Sequence, residues 1–328
     1  MRQPLKGLFA SILSCLLALP ALGQSAGPQD AERSANREQV WRIPAAGGSP
    51  LMLTTVMRPK GEARAPLVVI NHGSPADSSA RPQMSRQRYS ALSTWFVAHG
   101  YVVAVPLRRG YGETGGAWAE DYGPCNNPDY AGAGLQTAAD IKAAIDFMRT
   151  QPFVAPDHTI VVGQSAGGWG TIALSSLNPP GVSGMINFAG GRGGHQRMST
   201  GGMGNCATSA LVQAAAKYGA TARVPMLWIY AANDTFFEPG LARRMVDAYN
   251  GAGGHAHPSG LWPEWAGGPQ SRDQSRWPPR CGRRWSRPSC GPCGDIRSAA
   301  SFCAVWCAET RGKRLILVRR LESYTYIT

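Results

Sequence analysis

Acidic residues are scarce in this chain of 328 residues: 20 Asp and Glu stand against 33 Lys and Arg, for a net charge of +13. Charge of either sign is sparse, at 16% of residues, while hydrophobic residues make up 43%. That balance excludes a disordered polyelectrolyte and leaves enough apolar material for a globular core. Forty Gly and 25 Pro follow no fixed period, which excludes a collagen-like rod. No repeat of about 20 residues marks a solenoid. The length suits one large domain or two small ones. Nucleic acid is the partner that a basic excess first suggests, but the excess is uneven. Residues 255–328 carry 12 basic and 5 acidic residues, net +7, leaving +6 for residues 1–254. The basic tail has no reading module, so no nucleic-acid partner is expected.

A membrane-spanning run is lacking too. Arg2 and Lys6 precede an apolar stretch from Gly7 to Leu22 that contains Pro20 and closes on Ala21-Leu22-Gly23. It is short for a span, whereas a basic start, an apolar middle and small closing residues are the parts of a secretory signal peptide cut after Gly23. The expected organisation is a signal peptide over 1–23, a folded domain over 24–254 and an atypical tail over 255–328. The mature protein is then exported, to the periplasm or beyond, with no stable membrane span.

Export changes how cysteines are read, because an oxidising compartment lets them bond. Eight are present; without Cys15 seven remain. Cys125 and Cys206 lie in the body of the chain and can pair. Cys281, Cys290, Cys293, Cys303 and Cys307 crowd the tail, where Cys290-x-x-Cys293 and Cys303-x-x-x-Cys307 weakly imitate a zinc spacing. Nothing else there looks like a metal module, and no metal is assigned.

Between residues 40 and 254, short apolar runs alternate with helical patterns. Val40 to Ile43 and Leu51 to Val56 read as a hairpin. Leu67 to Ile70, Tyr101 to Val105, Thr159 to Val162, Met185 to Phe188 and Met226 to Tyr230 read as buried strands. Helices are expected over Ser90–His99, Gly134–Arg149, Ser165–Ser176 and Glu238–Asn250. This alternation predicts an α/β fold, a mostly parallel sheet with helices on both faces.

The chemistry centres on Gly163-Gln164-Ser165-Ala166-Gly167. In so glycine-rich a chain the string alone is weak, but a strand ends at Val162 and a helix begins at Ser165. A serine on that sharp turn has its hydroxyl lifted above the sheet edge. The helix N-terminus beneath favours the negative charge of acyl transfer. Ser165 is therefore the candidate nucleophile. Its oxyanion donors are the backbone amides of Ala166 and of Ser74, the latter in Asn71-His72-Gly73-Ser74-Pro75, where Pro75 has no N–H to give. His72 precedes the serine at the base of its loop and is read as structural. Asp234, following the strand that ends near Tyr230, is the candidate acid. Arg108 and Arg109 hint at an anionic substrate group, but a structural turn is the preferred reading.

With those residues in view, the chain resembles the α/β-hydrolase superfamily, and more narrowly the dienelactone-hydrolase-like and prolyl-oligopeptidase-like serine hydrolases. The resemblance rests on Val69–Pro75, Arg108–Gly116, Gly163–Gly168 and Tyr230–Asp234, in family order, over about residues 40–254. It implies a Ser–Asp–His triad in that chain order, with the histidine after one more helix and one more strand. It also implies hydrolysis of a small ester, lactone or peptide through an acyl-enzyme, without metal or organic cofactor. The oligomeric state is not read from the sequence.

Histidine is where the pattern breaks. After Asp234 only His255 and His257 occur, and none follows from residue 258 to 328. Both stand where the last strand should begin, leaving no room for a strand before the histidine. His257 is the better candidate for the base, and it serves only if the chain abandons the usual topology. The last strand and histidine loop are therefore expected to be missing or replaced. The tail holds five of the ten Trp, five of the eight Cys and eleven Arg, without apolar periodicity until Leu315–Val318. It is either an extension that folds on a partner or a membrane surface, or an out-of-frame translation from near residue 255, and we favour the second. Catalysis would then be impaired, solubility poor, and a non-catalytic binding protein or defective product is the alternative reading.

Overall fold

The computed structural model describes residues 25–198, 201–231 and 233–258. The expected signal peptide and all of the tail from residue 259, with its five cysteines and the Leu315–Val318 run, lie outside the described residues.

The strands are β1 (Gly27–Pro28), β2 (Gln39–Pro44), β3 (Leu51–Met57), β4 (Leu67–Asn71), β5 (Val102–Pro106), β6 (Thr159–Gln164), β7 (Val182–Phe188), β8 (Gln196–Arg197), β9 (Met203–Gly204), β10 (Met226–Ile229) and β11 (Ala256–Pro258). The helices are α1 (Ser90–Ala98), α2 (Tyr130–Arg149), α3 (Ala166–Ser175), α4 (Thr208–Gly219) and α5 (Pro239–Gly251). Nine strands form one sheet in the order β1-β2-β3-β5-β4-β6-β7-β10-β11, and β8 and β9 pair separately. From β5 to β11 every pairing is parallel; the hairpin end, β1 to β3, is antiparallel.

The central strands read as continuous apolar runs because both faces are covered. Along β4, Leu67 and Val69 enter the larger core with Ile141, Ile145, Ile172 and Met245, while Val68 and Ile70 face the smaller one with Phe96 and Val97 of α1. Side chains alternate across a strand, so one run of four residues serves two cores.

Two expectations need correction. Helix α4 is absent from the sequence reading; its buried face is Leu211, Ala214, Ala215, Tyr218 and Gly219, and alanine and glycine give little periodic contrast. A strand is present where none was expected: β11 runs parallel to β10 and includes His257 itself. A turn at Ala252 to Gly254 reverses the chain directly after α5, with Gly253 at φ +112°. Only residues 252–255 connect α5 to β11, which leaves room for a short strand that includes His257. The pairing of Cys125 with Cys206 is present as a disulfide across 81 residues.

Candidate active site

Ser165 sits between β6 and α3 with φ 52° and ψ −117°. A positive φ is costly for a residue with a Cβ, and it persists only where the surroundings hold it. Ser165 N–H donates to Phe188 O at 2.9 Å, and Ser165 O accepts from Trp169 N–H at 2.9 Å and from Gly191 N–H at 3.3 Å. The glycines around it are required by space. A Cβ on Gly163 would collide with the Gly167 carbonyl, and one on Gly167 with the Asn71 and His72 carbonyls. The strand can therefore turn into the helix only with hydrogen at both positions. Among the described residues, Ser165 Oγ has no hydrogen-bond partner.

The loop after β4 lies against this turn. A Cβ on Gly73 would stand 3.2 Å from Ser165 Cβ. Gly73 N–H donates to Gln164 Oε1 at 3.2 Å, leaving the next amide, Ser74, without a protein acceptor among the described residues. The Ala166 amide, first in α3, is likewise without one. His72 is buried: Nε2 accepts from Arg108 N–H at 3.1 Å and Nδ1 donates to Gly73 O at 2.6 Å. Burial first, and the neighbouring Arg108 guanidinium second, depress its pKa to about 3. It is a neutral strut within its loop.

Asp234 follows β10. Its Oδ1 accepts from Phe236 N–H at 2.8 Å and Phe237 N–H at 2.9 Å. Burial raises its pKa, and those two amides only partly offset that. The Phe237 ring lies against Gly191, whose amide holds the Ser165 carbonyl. Asp234 and Ser165 are thus joined through two residues at the same end of the sheet.

His257 is not brought there. It is exposed and opposite Leu227, which pairs with Ile186, which pairs with Val162. At about 4.8 Å per spacing, the three spacings across β10 and β7 put it about 14 Å from β6. It also stands level with Val162, three residues short of Ser165. His255 stands exposed at the entrance of β11, its carbonyl accepting from Met226 N–H at 3.0 Å. The imidazole that is near Asp234 was not singled out from the sequence. His195 stacks on Phe236 with ring centroids 3.7 Å apart and places Nε2 3.0 Å from Thr235 O. It precedes the acid in the chain, so no expected order points to it.

Arg108 and Arg109 are engaged internally. Arg108 pairs with Glu120, and Arg109 Nε lies 2.8 Å from Asp140 Oδ1.

The family model described as X-Pro dipeptidyl-peptidase (S15 family) matches residues 48–227, more than half of the chain. The chain belongs to this family. The match spans the loop after β4 and the Ser165 turn and ends within β10, short of Asp234. No curated protein matches this S15-family chain in sequence. Among solved structures it is similar to an acetyl xylan esterase from Paenibacillus sp. R4, with a TM-score of 0.53 and 15% identity over 74% of this chain and 82% of that one. It is similar to an acylaminoacyl peptidase bound to Z-Gly-Gly-Phe-chloromethyl ketone, with a TM-score of 0.50 and 15% identity over 69% of this chain and 37% of that one. The dipeptidyl peptidase 4 of Porphyromonas gingivalis gives a TM-score of 0.50 and 14% identity, over 69% of this chain and 32% of that one. This chain spans about a third of the length of those two peptidases. At these identities the likeness is one of fold, and the fold is that of the α/β-hydrolases.

Proposed function

We propose that this chain is an exported serine hydrolase acting on small carboxylic esters that carry a good leaving group. The observation that carries the reading is Ser165, held at positive φ between a buried strand and a helix, with two unpaired amides beside it. In the proposed reaction Ser165 Oγ attacks the ester carbonyl carbon, and the Ser74 and Ala166 amides hold the oxygen that becomes negative. The C–O bond to the alcohol breaks, and the alcohol takes up a proton from solvent as Ser165 loses its own. Water then attacks the acyl-enzyme and releases the acid. Asp234 is the acid that would orient an imidazole.

The preference for esters over peptides follows from the missing base. A peptide amine leaves only when protonated, which is the task of the triad histidine. An aryl or other activated ester needs no such help. Triads stripped of their base retain about 10³–10⁴-fold over water from oxyanion hole and binding, and an activated ester is where that remainder is measurable. Export is supported by the Cys125–Cys206 disulfide, which an oxidising compartment preserves.

Intact-mass measurement after incubation with a fluorophosphonate tests the reading. A single adduct on the full chain, absent from Ser165→Ala and formed slowly because no triad base assists the serine, is expected after prolonged incubation; rapid labelling would show that a base is present. His257→Ala should label like wild type, whereas loss of labelling in His195→Ala would name that ring as the base. No adduct on folded wild type would overturn the nucleophile assignment.

A further inference from the structure

A buried carboxylate joins the loops that follow β4, β5 and β7. Glu120 is 1% exposed, Arg108 0% and Arg192 5%. Arg108 donates through Nε to Glu120 Oε1, and through Nη2 to Oε2 at 3.4 Å. Arg192 Nη2 donates to Glu120 Oε2 and to Thr137 Oγ1, the latter at 3.0 Å. Tyr111 OH donates to the same Oε2 at 2.8 Å. Burial alone would raise the Glu120 pKa; the two guanidiniums outweigh it and hold the carboxyl well below its ordinary value.

What Arg108 does next gives the cluster its meaning. Its Nη1 donates to His72 O at 2.8 Å and its backbone N–H to His72 Nε2 at 3.1 Å. The Tyr111 ring stands edge-on to the His72 ring, with centroids 4.7 Å apart. His72 is thus gripped at carbonyl and ring, two residues before Ser74. On the other side Arg192 directly follows Gly191, whose amide holds the Ser165 carbonyl. One carboxylate ties the loop of the oxyanion donor to the loop that fixes the backbone of Ser165.

We propose that Glu120, through Arg108 and Arg192, is a positioning residue that sets the distance between the Ser74 amide and Ser165. The proposal rests on the assignment of Ser165 and Ser74 made above. Hydrogen-bond donors stabilise a developing oxyanion only when placed at its position, and a displacement of about 1 Å costs on the order of 10²-fold. Burying three charges needs a reason, since an apolar core of the same volume is often as stable. Holding two catalytic loops in register is one.

The test uses kcat and KM for p-nitrophenyl acetate hydrolysis by the full chain, with Ser165→Ala as the zero and near-ultraviolet circular dichroism as the check of folding. Glu120→Gln and Arg108→Lys should lower kcat about 10- to 100-fold with KM within about twofold. Arg192→Met leaves Arg108 and Glu120 as a balanced pair and should lower kcat about tenfold, with partial recovery in Arg192→Lys. If Glu120→Gln fails to fold, Arg192→Met decides. Wild-type kcat in a folded Arg192→Met that merely melts earlier would make the cluster structural only and overturn the proposal, leaving Ser165 standing. Equal hydrolysis by Ser165→Ala and wild type would overturn both.

Discussion

His72 shows how a single titratable residue acquires a pH signature from its neighbours. Its Nε2 accepts from Arg108 N–H, so the folded protein needs it neutral. Its pKa is about 3 when folded against 6.5 for the unperturbed side chain. Between those values the unfolded chain binds a proton that the folded chain does not, so stability rises with pH. The contribution is whole above about pH 6.5 and is lost progressively as pH falls toward about 3, at up to about 1.4 kcal/mol per pH unit. Urea unfolding of wild type and His72→Gln across pH 4 to 7 should show the steeper dependence in wild type; parallel curves would refute it. The places of Ser165, Ser74, Ala166 and Asp234, just after β6, β4 and β10, were readable from the sequence because each strand end is marked by glycine or by a turn residue. The internal engagement of Arg108 was only half readable. Its carboxylate partner lies twelve residues away, with nothing in the spacing to mark the pair.

At the scale of elements, legibility followed contrast. The β-branched strands were found to within a residue or two at most ends because they are buried on both faces. Helix α2 begins at Tyr130, capped by Asp129 accepting from Gly132 N–H at 2.8 Å, four residues before the sequence reading starts it. Gly132 and Gly134 hide that first turn. The segment from Ala189 to Ala207 carries Gly191, Arg192 and His195, and it is fastened at its far end. Cys206 N–H donates to Gly193 O at 2.9 Å, Tyr130 OH donates to Cys206 O at 2.8 Å, and Cys206 is bonded to Cys125. Closing a loop across 81 residues stabilises by about 2–4 kcal/mol, chiefly by restricting the unfolded chain. Thermal or urea unfolding of Cys125→Ser/Cys206→Ser should show a loss of that size. Because Arg192 belongs to the fastened segment, fluorophosphonate labelling of the same variant should slow as well.

Across the whole molecule the two faces of the sheet are covered unequally. The larger core takes α2, α3, α4 and α5, whereas α1 alone among the described helices packs on the other face. There Ile186 and Phe188 of β7 and Leu227 and Ile229 of β10 are only half-buried, while their alternate neighbours Met185, Asn187, Met226 and Trp228 are buried. A contiguous apolar stripe of this kind drives association. The full chain should bind a hydrophobic dye and scatter light at concentrations where the double variant Ile186→Thr/Leu227→Thr stays clear. The two half-buried changes should cost little stability. Equal scattering by both proteins would place the association elsewhere.

The sequence by itself determined the α/β alternation, the strand-to-helix turn at Ser165 and the absence of any histidine after His257. These are local properties: periodicity, the need for hydrogen at Gly163 and Gly167, and a residue count. Only the tertiary structure decided the rest. Register placed His257 three strands from Ser165 and level with Val162. Packing joined Asp234 to Ser165 through Phe237 and Gly191. Folding brought Arg192, 72 residues further along the chain, onto the Glu120 carboxylate that Arg108 already holds within its own connection. Those are contacts between distant residues, and they arise only when the sheet closes its order and three loops come to share one edge.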